Sequence, residues 1–176
     1  MFDYKNAEKI LEAEDVVVKF NLRGKTLTAI RGISMELYKG ESLAIVGESG
    51  SGKSVFTKTF MGLLDQNGWV DSGSIIYSGG KYAGKGVDLV PMKTEKEWLN
   101  IRGKEIAMVF QDPMTSLDPT MTIGKQIMEG MLWHFKMPKA EAYKKALELL
   151  EEVGITDAEK RMKNYPHQLS GGMRQR

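Results

Sequence analysis

The sequence predicts an α/β fold, and three patterns predict it. Residues 1–46 carry apolar side chains at the period of strands. A short apolar run then stops at a cluster of glycines, after which the apolar spacing becomes helical. From about residue 112 onward the helical period dominates. The length of 176 residues suits one domain, or one domain with a small subdomain.

The elements follow in order. Val16-Val17-Val18 is β-branched and leads to Phe20, Thr26–Ile30 alternates polar with apolar residues, and Ile33, Met35 and Leu37 fall at period two. Lys39-Gly40 reads as a turn. Leu43-Ala44-Ile45-Val46 is a continuous apolar run, the mark of a strand buried on both faces. After Gly52 the residues Val55, Phe56, Thr59, Phe60, Leu63 and Leu64 sit at helical spacing, ending before Asp65. Ser74–Tyr77 is expected as a strand, Glu95–Arg102 as a short helix and Ile106–Phe110 as a second buried strand. Ile123, Ile127, Met131 and Phe135 form one helical stripe. Ala142, Ala146, Leu149, Leu150 and Val153 form another, opening after Pro138 and closing at Gly154.

Composition excludes several classes of function. With Lys plus Arg at 25 and Asp plus Glu at 23, the net charge is +2, far from a chain built to coat nucleic acid. Hydrophobic residues at 41% and charged residues at 27% permit a buried core. The absence of cysteine removes disulfides, thiolate zinc sites, cysteine nucleophiles and iron–sulfur clusters from consideration. Asp3, Lys5, Glu8, Lys9, Glu12 and Glu14 interrupt the N-terminal stretch, so it lacks the apolar centre of an export signal. No apolar run approaches the length of a membrane span. A soluble protein of a reducing compartment is expected, meeting a membrane only through a partner. The 12 methionines read chiefly as flexible core filler.

The chemistry is concentrated in two glycine clusters. Gly47-Glu48-Ser49-Gly50-Ser51-Gly52-Lys53-Ser54 fits G-x-x-x-x-G-K-[ST], the P-loop pattern. Its glycines let the backbone turn tightly, so that successive N–H groups converge on a phosphate. The following helix adds its own N-terminal N–H groups. Lys53 supplies a cation for the β- and γ-phosphates and Ser54 a hydroxyl for Mg²⁺. A glycine-rich turn that happens to precede a helix is the bland alternative. The guanine-reading N-K-x-D pattern is absent, and Asp65-Gln66-Asn67-Gly68, though it matches D-x-x-G, follows a helix instead of a strand. The P-loop alone leaves small-molecule kinases open.

Leu169-Ser170-Gly171-Gly172-Met173 is the second cluster, followed by Arg174-Gln175-Arg176. A serine and two glycines ahead of a helix can form an anion-receptive nest; read blandly, they are a serine N-cap with flexible glycines. With this cluster the chain resembles the ATP-binding subunits of ABC transporters, whose signature is LSGGQ or a close variant; Met173 replaces the usual glutamine. Gln111, within Val109-Phe110-Gln111-Asp112-Pro113, resembles the glutamine of the family's Q-loop, and Phe20 resembles the aromatic residue that stacks on adenine. Taken singly, Gln111 could merely solvate a strand end, and Phe20 could equally belong to the core. Order is what links them: Phe20, residues 47–54, Gln111 and residues 169–173 come in family sequence. Ile101–Ala107, Phe110–Pro119 and Tyr165–Arg176 are further similar to the oligopeptide/dipeptide/nickel importer subfamily.

The resemblance implies a P-loop NTPase of ABC type, with a β-rich nucleotide-binding core at residues 1–111, a helical subdomain at 112–168 and the signature with the start of its helix at 169–176. It implies that Gly47, Glu48, Ser49, Gly50, Ser51, Gly52, Lys53 and Ser54 cradle ATP, that Ser54 and Gln111 reach Mg²⁺, that Lys53 and Gln111 serve hydrolysis, and that Ser170, Gly171 and Gly172 contact the γ-phosphate held by a second ATP-binding subunit. Implied partners are that subunit, membrane-spanning permease subunits and, indirectly, an extracytoplasmic solute-binding protein, with no nucleic acid. The implied place is the cytoplasmic face of the cell membrane, held peripherally. Peptide is the implied cargo. The family's Walker B strand, catalytic glutamate and switch histidine come after the signature, so the chain is expected to be a truncated piece of the nucleotide core, without efficient hydrolysis. His167 precedes the signature and reads as a packing or surface residue. Two rivals share parts of this pattern. A DNA-acting ATPase of ABC type would carry a long insertion, whereas only residues 112–168 separate Gln111 from Leu169; a P-loop nucleotide kinase would not need the second glycine cluster.

Overall fold

The computed structural model describes residue 4, residues 6–110 and residues 116–176. The chain divides into two compact units, Met1–Ile106 and Ala107–Arg176.

The first unit is organised by an antiparallel sheet of order β2-β1-β3-β4, in which β1 spans Lys9–Leu22, β2 Lys25–Tyr38, β3 Gly68–Tyr77 and β4 Val87–Asp88. A two-residue turn joins β1 to β2. Arg23 and Gly24 both have positive φ, 51° and 80°, the backbone pattern that matches the twist of paired strands. The register then slips along one line across three strands. Asp15 in β1 (φ 47°), Gly32 in β2 (φ 81°) and Gly73 in β3 (φ 93°) each lie where the pairing shifts.

That slip explains the apolar pattern. In β1 the buried residues are Leu11 and Ala13, then Val16 and Val18; in β3 Val70 packs on the core before the bulge, and Ile75 and Tyr77 after it. An alternation of two would send the second group to the other face, and one extra residue at the bulge returns it to the core. The same device unites Thr26–Ile30 with Ile33–Leu37, which the sequence reading separated: they form the single strand β2, whose phase flips at Gly32. At Gly73 a side chain is excluded outright, since a Cβ would lie 2.5 Å from the Glu14 carbonyl oxygen and 2.6 Å from that of Asp15.

One face of the sheet packs against α1 (Lys53–Thr59) and α2 (Glu95–Trp98), burying Leu11, Val16, Val18, Ile30, Phe56, Ile75, Leu89, Trp98 and Ile101. Helix α2 begins with reciprocal capping: the Glu97 N–H donates to Thr94 Oγ1, and the Thr94 N–H and hydroxyl donate to the Glu97 carboxylate. Helix α1 is shorter than the apolar spacing to Leu64 predicts. Past Thr59 the chain turns through Phe60 and Met61 to Gly62, whose φ of 59° ends the helical path.

Two further expectations differ from the structure. Leu43–Val46 is not a strand, and Leu43, Ile45 and Val46 are 45%, 41% and 87% exposed. Ile106–Phe110 pairs only through an isolated bridge between Ile106 and Arg102, and Val109 is 97% exposed. A strand exists through its ladder, and among the described residues no strand lies beside either run to supply one.

The second unit is helical: α3 spans Ile123–His134, α4 Lys139–Glu152, α5 Ala158–Met162 and α6 Gly171–Gln175. Met128, Ala142, Ala146, Leu150, Ile155, Ala158 and Met162 form its core. The alanines keep α4 close to its neighbours, and Gly124 lets α3 approach the Met162 carbonyl of α5, where a Cβ would come within 2.7 Å. Pro138 and Gly154 (φ 73°) bracket α4, in the places the sequence assigned them.

Candidate nucleotide-binding site

Residues 47–52 form an irregular loop that leads directly into α1. Gly50 and Gly52 have φ of 82° and 93°, a region that L residues with side chains avoid. Gly52 is also confined in space. A Cβ there would sit 2.5 Å from Cδ1 of buried Ile30 and 3.4 Å from the Ala29 carbonyl oxygen, so this glycine lets the loop lie directly on β2. Gly47 is the other tight point, where a Cβ would lie 2.8 Å from Ser51 Oγ. The loop is closed by the Ser51 N–H, which donates to the Glu48 carbonyl at 3.2 Å.

Lys53 begins α1 and curls back over this loop. Its Nζ donates to the carbonyls of Gly47 and Glu48, both at 2.7 Å, and to Ser51 Oγ at 3.3 Å. The ammonium is thereby fixed at the loop, with charge-assisted bonds to neutral acceptors and, among the described residues, no carboxylate paired with it. Gly52 occupies the N-cap of α1 and contributes no side-chain bond, and α1 has no acidic residue in its first turn. Ser54, in that turn, is exposed. The arrangement combines a fixed cation, a loop without Cβ atoms at its tightest points and a helix start with no side-chain cap. A polyphosphate fits this set of groups: the cation meets its charge, and the bare backbone allows close approach.

The remaining expected residues fall as follows. Phe20 belongs to the same unit as the loop, near the end of β1. Its ring is half-buried, packs against the core and covers Gly68, where a Cβ would overlap it. Gln111 lies outside the described residues. Ser170, Gly171 and Gly172 belong to the second unit, at the start of α6, and all three are exposed. Ser170 is the N-cap, its Oγ accepting the Met173 N–H at 3.2 Å. Gly171 and Gly172 could each accept a Cβ without meeting any atom within 4 Å. Neither packing nor positive φ in this unit requires these two glycines.

Sequence reasoning passed over two arginines that fasten these loops. Arg102 donates to the carbonyls of Met61 and Gly62, just beyond α1, at 2.7 and 2.9 Å. Arg176 donates to the carbonyls of Val153 and Gly154, at the end of α4, at 3.3 and 2.9 Å. Nothing in the pattern of residues around either arginine signals a partner so distant in the chain.

Residues 30–176 match the family model described as ABC transporter. The chain is 53% identical over 98% of its length to the oligopeptide transport ATP-binding protein AmiE of Streptococcus pneumoniae, covering 46% of that protein. It is 55% identical over 96% of its length to the dipeptide transport ATP-binding protein DppD of Lactococcus lactis, again covering 46%. Against OppD of Bacillus subtilis, an oligopeptide transport ATP-binding protein, identity is 52% and coverage of that protein 45%. The chain thus spans about half the length of these curated relatives. Among solved structures, the dimeric bacterial ABC transporter cassette MJ0796 superposes with a TM-score of 0.75 at 24% identity, covering 94% of this chain and 66% of that one. The same cassette bound to ADP and Pi superposes equally well; at such identities the likeness speaks for the fold. The extent of the family match and the identity to these relatives place the chain in the ABC transporter family.

Proposed function

We propose that this chain is the nucleotide-binding portion of an ATP-binding subunit that powers import of a solute, peptide by the analogy of its relatives, through a membrane-spanning partner. The observation that carries the reading is Lys53, held over a glycine loop by its own backbone carbonyls, in a loop–helix junction without an acidic side chain in its first turn. Residues 47–54 bind the phosphates, Ser54 and Gln111 hold Mg²⁺, and the accessible part of the Phe20 ring stacks on adenine. Mg²⁺-ATP supplies a polyanion whose terminal phosphoryl group is transferred to water; the protein's share of that chemistry is positioning and charge stabilisation.

Ser170, Gly171 and Gly172 are proposed to meet the γ-phosphate bound to a second subunit, so that nucleotide joins two chains and its hydrolysis parts them. The two exposed glycines fit that role because they leave backbone N–H groups open to a close approach. Motion then passes through the segment around Gln111 and the helical unit to the permease subunits, with the protein held peripherally at the cytoplasmic face. No described helix is long and apolar enough to cross a membrane. By themselves the 176 residues are proposed to hydrolyse ATP negligibly.

Titration of the chain with Mg²⁺-ATP tests the reading. Lys53→Ala should weaken binding by about 100-fold or more, since a charge-assisted contact to phosphate is lost. Equal binding by the variant and the parent chain would refute the assignment of this loop.

A further inference from the structure

Helix α1 has only seven residues, and Lys53 and Ser54 stand at its first turn. A rod this short transmits any movement of its far end to its near end. Within the helix, Phe56 and Thr59 are the buried anchors. Past the helix, the Met61 and Gly62 carbonyls are taken by one side chain, the guanidinium of Arg102, through Nε at 2.7 Å and Nη2 at 2.9 Å. These bonds span 41 and 40 positions of sequence.

The guanidinium is itself held on its other sides. Its Nη1 donates to Glu95 Oε1 at 2.7 Å, and its carbon lies 5.2 Å from the centroid of the Trp98 ring. Trp98 is 6% exposed and lies on Gly62, where a Cβ would overlap the indole. A planar fork with two backbone acceptors, one carboxylate and one aromatic face fits arginine and does not fit lysine. The positive charge also stands at the carbonyl end of the helix, where the helix dipole favours it. The segment that carries Arg102 continues through Ile106 toward Gln111.

We infer that Arg102 is a positioning residue of the nucleotide site: by clasping the far end of α1 it sets where Lys53 and Ser54 stand, and it ties that helix to the segment leading to Gln111. The ligand in this statement rests on the function proposed above; the mechanical link from Arg102 to α1 does not.

Two measurements on the 176-residue chain test it, with Arg102→Ala, Arg102→Lys and Lys53→Ala compared at a temperature where circular dichroism shows each variant folded. The first is amide hydrogen exchange without nucleotide. Arg102→Ala should speed exchange at Phe56, whose N–H donates to the Gly52 carbonyl at 2.8 Å, by roughly tenfold while leaving Val16 and Val18 of the sheet unchanged. The second is Mg²⁺-ATP titration, where the same variant should bind roughly tenfold more weakly. Arg102→Lys should recover part of each. A side chain that only stabilised the fold would lower the melting temperature with α1 exchange and affinity unmoved, and that result overturns the inference. If Arg102→Ala does not fold, Arg102→Lys decides, and behaviour identical to the parent chain in both measurements overturns it. Absence of nucleotide binding by the parent chain, or equal binding by Lys53→Ala, refutes the proposed function instead; the exchange of α1 then judges the role of Arg102 alone.

Discussion

Two loop–helix junctions in this chain are built from similar residues and solve the same problem differently. Gly47–Ser54 opens α1, and Ser170–Met173 opens α6. At the second junction the serine hydroxyl caps its own helix, so one of the free N–H groups at the helix start is already satisfied. At the first junction the N-cap is a glycine with no side chain to offer, and the neighbouring lysine turns away from the helix to bond the loop carbonyls. The first loop is confined, with a glycine pressed on Ile30 at a φ of 93°. The second is open, with glycines at which an added Cβ would meet nothing within 4 Å. A confined, uncapped loop beside a fixed cation is organised for a ligand within its own unit. An open, self-capped loop gains nothing from its glycines until something outside the unit approaches it.

Alanine at each junction breaks the comparison most directly. Gly52→Ala must place a side chain at an unfavourable φ and push on buried Ile30, and should cost roughly 2–5 kcal/mol of stability and abolish nucleotide binding. Urea denaturation and titration with Mg²⁺-ATP measure the two effects. Gly171→Ala meets no atom and no positive φ, and should change neither stability nor nucleotide binding of the single chain by a measurable amount. Its effect should appear only when two full-length subunits close on ATP, as a loss of nucleotide-dependent dimer in sedimentation. A Gly171→Ala variant that unfolds the single chain, or a Gly52→Ala variant that leaves it intact, would reverse the roles assigned to the two loops.

A smaller effect is expected at the self-capped junction. Ser170→Ala removes the acceptor for the Met173 N–H and should weaken α6 by about 1 kcal/mol. Hydrogen exchange at the Met173 amide should quicken, while exchange at Phe56 in the other unit stays as it was.

Both loops were legible in the sequence as glycine clusters ahead of helices, because they are local patterns and local patterns survive without tertiary context; the contrast between them was not. The glycine-bounded α4 was legible for the same reason. What escaped were features decided between distant segments. The phase flips at Asp15, Gly32 and Gly73 look like breaks between strands when each segment is read alone, and only three strands side by side reveal a continuous bulge line. Leu43–Val46 and Ile106–Phe110 have the composition of buried strands, but composition does not supply a neighbour, and the exposure of Val46 and Val109 follows from that. Arg102 escaped because its acceptors are backbone carbonyls, which every residue has. For the site, the glycines and Lys53 were readable as chemistry, whereas the bonds that hold Lys53 over its own loop depend on how the loop is folded.

The smallest effect concerns a third helix start, α2, which is capped in both directions and so marks the far extreme from α1. The Thr94 hydroxyl, followed by the backbone N–H groups of Thr94 and Lys93, holds the Glu97 carboxyl below the ordinary glutamate range. A carboxylate whose pKa is depressed on folding stabilises the folded state above its unfolded pKa, and that contribution is lost as pH falls through the lower, folded value. Acidification from about pH 6 to about pH 3 should therefore cost the parent chain more stability than it costs Glu97→Gln, which keeps a capping side chain without a titrating proton. Urea midpoints across that range measure the difference. Of the three helix starts compared, only α2 carries acidic residues in its first turn, so the pH-dependent share of their capping should trace to α2 and fall with that substitution; an unchanged acid slope in Glu97→Gln would show that this cap is not formed in solution.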